Sequence, residues 1–145
     1  MGFIFLWPFF DKLLGLGFAT AASKSWLLGN SPTYGFLTFG TKGPLVFIFK
    51  AMAGNVFVDW VFMVELLFIG ISLLLGIARK ISCYGGTLML FLMWLAAIPP
   101  ENNPIIDEHI IYGLILLVLA NIRTNFSLTK KWEKLSFVKK NEWLK

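Results

Sequence analysis

This chain has one cysteine and one histidine, and each scarcity closes off chemistry. Cys83 has no partner for an internal disulfide, and there is no Cys-x-x-Cys for dithiol exchange. With His109 as the sole imidazole, a bis-histidine haem or a multi-histidine metal centre within one chain is excluded, so no metal site is expected. Charge is scarce as well, at 14% of residues. The N-terminus lacks the basic region and the small-residue cleavage site of a secretory signal, so the first apolar run is expected to stay in the protein.

What is abundant is apolar and aromatic surface. Fifteen Phe and six Trp in 145 residues, 57% hydrophobic residues and a mean hydropathy of +0.74 exceed what one small water-soluble core needs. Several apolar runs approach the roughly 20 residues that span a hydrocarbon layer of about 30 Å. The composition therefore predicts an all-α membrane protein.

The run 1–18 is the first expected span, holding Asp11 and Lys12 within the protein as a structural ion pair, because a charge at mid-bilayer costs about 2.5–3.5 kcal/mol in lipid. Turn chemistry at Gly29-Asn30-Ser31-Pro32-Thr33 and aromatics between mark 23–41 as an ordered interfacial loop. The stretch 45–53 is too short to span and reads as an interfacial or re-entrant helix. Further spans are expected at 56–78, 81–98 and 105–122. In the second, Glu65, Ser72 and Arg79 recur every seven residues and should share an inward face. In the third, Ser82, Gly85 and Gly86 permit close helix packing. The last should begin near Pro104, with Asn103 as its N-cap.

The fold expected is thus a four-transmembrane-helix bundle over 1–125, with the short helix between spans 1 and 2. Residues 126–145 form a basic amphipathic tail suited to an anionic membrane surface. The net charge of +5 follows from this pattern, and nucleic-acid binding is not needed to explain it. Arg79, Lys80, Arg123 and the six tail lysines fall on one side, against Lys24, Lys42 and Lys50 on the other. The positive-inside rule then puts both termini in the cytoplasm of a multi-pass plasma-membrane protein. Asp59, Glu65, Asp107, Glu108 and His109 lie at or just below the outer face.

Several short motifs carry a resemblance. Phe-Phe-Asp-Lys-Leu-Leu-Gly-Leu-Gly-Phe-Ala-Thr-Ala at 9–21, Gly-Asn-Ser-Pro-Thr-Tyr-Gly-Phe-Leu at 29–37, Lys-Gly-Pro at 42–44, Val-Asp-Trp-Val-Phe-Met at 58–63 and Pro-Pro-Glu-Asn-Asn-Pro-Ile-Ile-Asp-Glu-His-Ile-Ile-Tyr at 99–112 occur in this order. In them the chain resembles the DoxX/DoxD-like membrane proteins of archaeal and actinobacterial type. The resemblance implies a four-helix membrane bundle and an association with thiosulfate:quinone oxidoreductase or terminal quinol oxidase assemblies. The expected function is a small subunit or accessory of a quinone-linked respiratory or sulfur-redox complex. The alternative is a non-catalytic scaffold, assembly or homo-oligomer-forming protein.

Candidate site residues follow from chemistry. His109 could pass a proton to or from a quinone oxygen, or simply bond a neighbouring acid at a helix start. Asp107 and Glu108 suit a helix N-terminus through its dipole alone. Glu65, about 9 Å along the helix from Asp59, would be protonated or paired with Lys12. Asp59, Glu65, His109 and Tyr112 are the expected quinone or ligand contacts, with His109, Glu65 and Asp107 the catalytic candidates. No cofactor is intrinsic to the chain beyond a quinone taken from the membrane. Any electron carrier would come from a membrane or electron-transfer partner.

Overall fold

A computed structural model describes residues 1–100, 103–122 and 127–144 of the chain. Glu101, Asn102, Arg123 and Lys145, which the sequence places in the outer turn and among the basic inner residues, lie outside the described residues. Among those described, regular structure is all helical: α1 (Gly2–Leu14), α2 (Val46–Ala51), α3 (Val56–Leu75), α4 (Arg79–Ala97), α5 (Glu108–Asn121), α6 (Ser127–Glu133) and α7 (Ser136–Lys140), joined by short helical turns.

α3 and α4, of 20 and 19 residues, are long and apolar enough to cross a membrane. About one third of each is buried inside the protein, and Val64, Phe68, Ile71 and Leu74 point outward from α3. Such an apolar face matches a lipid surround rather than water. α1 and α5 have 13 and 14 residues, short of a full span by helix alone.

Local chemistry sets these boundaries. Asn55 caps α3 by accepting the Phe57 and Val58 N–H groups at 2.9 and 3.4 Å, and α3 stops at Gly76, whose φ of 69° is left-handed. Arg79 therefore opens α4 instead of extending the face of Glu65 and Ser72, which corrects the seven-residue pattern at its last member. α1 ends at Gly15, where a left-handed φ of 68° combines with a backbone approach that leaves a Cβ only 2.7 Å from the Ala22 Cα.

The start of α5 also differs from expectation. Asn103 does accept two backbone N–H groups, from Ile105 and Ile106 at 2.9 Å each, but the turn it closes does not propagate. Asp107 is the true N-cap, accepting from His109 and Ile110, so the helix begins at Glu108.

Packing follows chain order: α1 lies along α3, α3 on α4, and α4 on α5. Gly70 of α3 meets Gly2 and Leu6 of α1, and a Cβ there would fall 2.4 Å from the Leu6 Cγ. Gly86 of α4 receives Leu116 from α5 and Ile69 from α3, as the small-residue face at 82–86 predicts. Around these contacts Phe5, Phe9, Met63, Leu66, Cys83, Met89 and Leu90 form the core.

The tail consists of α6, α7 and the turn Glu142–Leu144, and that turn packs on α4. Thr129 Oγ1 donates to the Gly76 carbonyl at 2.9 Å, and Val138 and Leu144 are buried.

Candidate functional site: an apolar cavity with two charges

Between α1, α3, α4 and the loop 23–41 lies a cavity of about 450 Å³. Its walls are almost wholly apolar: Val61 and Phe62 from α3, Leu88 and Leu92 from α4, and Phe36, Phe49 and Met52 from the loop and α2. Two ionisable side chains face it, Lys12 from α1 and Glu65 from α3. The Glu65 carboxyl lies against Gly85, where a Cβ would stand 3.4 Å from Oε1. Gly85 thus leaves room for a carboxyl between two packed helices.

Neither Glu65 nor Lys12 has a hydrogen bond or an ion pair among the described residues, with each other or with another group. The expected Glu65–Lys12 pair is therefore a shared cavity rather than a contact. Asp11 and Lys12 attract each other electrostatically, but no close ion-pair contact joins them. Asp11 is 1% exposed, and its carboxylate accepts the Phe18 and Ala19 N–H groups at 3.2 and 3.0 Å. The reason is steric economy: the chain turns at Gly15, presents two orphan amides to the carboxylate, and Lys12 extends into the cavity instead.

Asp59 does not line the cavity but holds its wall. Its Oδ1 accepts from Ser31 Oγ at 2.8 Å, from the Thr33 N–H at 3.3 Å and from the Thr33 hydroxyl. Pro32 and Thr33, pinned this way, line the cavity. The loop is anchored again where the Lys42 N–H donates to the Ala96 carbonyl at 2.8 Å.

His109 lies elsewhere. Its Nδ1 bonds Asp107 Oδ2 at 2.8 Å, and its ring borders a separate cavity of about 170 Å³ with Thr87, Phe91 and Gly113. Burial works against the charged form of Asp107. The His109 ring bond, the Ile110 and His109 N–H groups and the electrostatic pull of His109 outweigh it and hold the carboxyl below the usual carboxylate range. Tyr112 packs against the core, and Glu108 is exposed in the first turn of α5. The four expected ligand contacts Asp59, Glu65, His109 and Tyr112 therefore do not converge on one cavity.

The sequence signal for the loop tether was present in Ser31-Pro32-Thr33, two hydroxyls flanking a turn, opposite the unexplained Asp59. Nothing in the sequence marks Phe36, Phe49 and Met52 as cavity walls. Among the described residues no group of three or more His, Cys, Asp or Glu side chains is placed to hold a metal.

Compared with protein-family models, with curated proteins and with solved structures, the chain matches none.

Proposed function

We propose that this chain is a multi-pass membrane protein of DoxX/DoxD type that binds a quinone in the cavity between α1, α3 and α4. It would serve as a small accessory subunit of a quinone-linked respiratory or sulfur-redox complex. The observation that carries the binding site is the pairing of an apolar cavity of about 450 Å³ with Lys12 and Glu65, two unbonded polar groups on different helices. A quinone offers a flat apolar ring with two carbonyl oxygens. Lys12 would donate to one oxygen and a protonated Glu65 to the other, each bond gaining strength in a medium of low dielectric. The isoprenoid tail would leave between α3 and α4 side chains into lipid.

In this reading α1 and α5 are the first and last of four spans. Each is packed alongside a longer helix, and flanking aromatics with local bilayer thinning make up the missing length. Both termini lie on the cytoplasmic side, with Arg79, Lys80 and the tail lysines. The chain brings no electron carrier of its own, so a partner supplies the electrons. Exposed Phe39 and Phe47 on the outer loop and α2 offer that partner an apolar contact.

The test is an equilibrium titration of the purified protein in lipid nanodiscs with a short-chain quinone. Saturable binding is expected, weakened at least about tenfold by Glu65→Leu combined with Lys12→Met, which removes both donors, a loss of about 1.4 kcal/mol. His109→Ala should leave it unchanged. Absence of saturable binding would remove the quinone site.

A further inference from the structure

We propose that the C-terminal segment, residues 127–144, is a docked interfacial clamp that binds anionic phospholipid headgroups. Its position is the first part of the argument. α3 is 20 residues long, so its two ends stand about 30 Å apart, the thickness of a hydrocarbon layer. The bond from Thr129 to the Gly76 carbonyl ties α6 to one of those ends. The turn Glu142–Leu144 packs on α4, and Trp132 Nε1 donates to the Leu144 carbonyl at 2.7 Å, closing the segment on itself. The clamp is thus held where the helices leave the membrane, not free in solution.

Its outward chemistry is the second part. Val138 and Leu144 are buried, yet Leu128, Leu135, Phe137 and Trp143 are 43–62% exposed. Apolar and aromatic side chains at that level are suited to the headgroup boundary. Around them Lys130, Lys131, Lys134, Lys139 and Lys140 are exposed, and the sequence of the segment carries two acids, Glu133 and Glu142, to these five lysines. This is a surface of one dominant charge beside apolar anchors, and its complement is a surface that is both anionic and apolar below. A membrane with acidic lipids fits both properties, whereas an acidic protein would leave the four apolar side chains uncovered. Each lysine near such a surface should strengthen docking about fivefold.

The experiment uses the full chain in nanodiscs. Cys83 is buried and is the only cysteine, so a polarity-sensitive dye can be placed selectively by Phe137→Cys. In discs containing phosphatidylglycerol, the dye should shift to the blue and be quenched by brominated acyl chains. In pure phosphatidylcholine both effects should be small. High salt, or Lys130→Gln, Lys131→Gln, Lys139→Gln and Lys140→Gln together, should reduce them toward the phosphatidylcholine values, with far-ultraviolet circular dichroism unchanged. Equal quenching in both lipids, or a response only when an acidic soluble protein is added, would overturn the proposal. It stands or falls independently of quinone binding.

Discussion

Removing the Asp59 carboxylate should release the outer loop without unfolding the helices. In Asp59→Ala the donors Ser31 Oγ, Thr33 N and Thr33 Oγ1 lose their common acceptor, in a site where Asp59 is 4% exposed and Thr33 6%. A hydrogen bond to a charged group contributes about 1.5–3 kcal/mol, and the three are not additive because they share one oxygen. The two hydroxyls can turn to water once the loop lifts, so about 2–4 kcal/mol is expected for the set. Hydrogen exchange across 29–37 should then accelerate about thirty- to several-hundred-fold. Asp59→Asn keeps an oxygen acceptor and should lose about 1 kcal/mol. Exchange in α4 and α5 should not change, since the side-chain hydrogen bonds of Asp59 go to Ser31 and Thr33. If Asp59→Ala left exchange at 29–37 unchanged, the tether would be wrong, and so would the view that it shapes the cavity wall.

Other outcomes follow from single contacts. Gly70→Ala places a Cβ 2.4 Å from the Leu6 Cγ and should cost about 1–3 kcal/mol through forced separation of α1 from α3, read as a lowered Tm in detergent. Thr129→Val removes the bond to the Gly76 carbonyl and should cost about 1 kcal/mol, seen as faster exchange in 127–144 with the helices unaffected. The carboxyl of Asp107 is held below its ordinary range, so its contribution to α5 is fully present above about pH 4 and is lost as pH falls through the depressed folded value. Amide exchange at His109 and Ile110 should therefore accelerate only in strong acid, and Asp107→Ala should abolish that pH dependence.

Much of the helical framework was legible in the residues, for physical reasons that can be named. α3 carries a long apolar run between the strong cap Asn55 and the left-handed Gly76, so the span expected at 56–78 lies within three residues of Val56–Leu75. α4 was legible from its apolar run alone, the span expected at 81–98 against Arg79–Ala97, and Gly86 among its small residues receives Leu116 and Ile69. The start of α5 was misread because Asn103 and Asp107 are both good capping residues four positions apart, and sequence does not say which turn continues. The division of the tail into α6, α7 and a turn was not legible, because the bonds from Thr129 to the Gly76 carbonyl and from Trp132 to the Leu144 carbonyl join residues far apart in sequence.

The site was legible only in its charges. Glu65 stands out in an apolar run, and Lys12 was paired with it in expectation, but their separation across a cavity depends on loop aromatics that no pattern identifies. His109 was drawn toward Glu65 by assuming that residues at one membrane level converge. The packing order α1, α3, α4, α5 puts His109 on the far helix, with its own smaller cavity.

The central claim is that a quinone sits between Lys12 and Glu65. A photoreactive quinone analogue, crosslinked in native membranes and mapped by mass spectrometry, addresses it directly. The account predicts label on the cavity-lining segments of α3 and α4, around Val61 to Glu65 and Leu88 to Leu92, competed by unlabelled quinone and lost in Glu65→Leu with Lys12→Met. Label confined to α5 around His109, or label that unlabelled quinone does not displace, would contradict it.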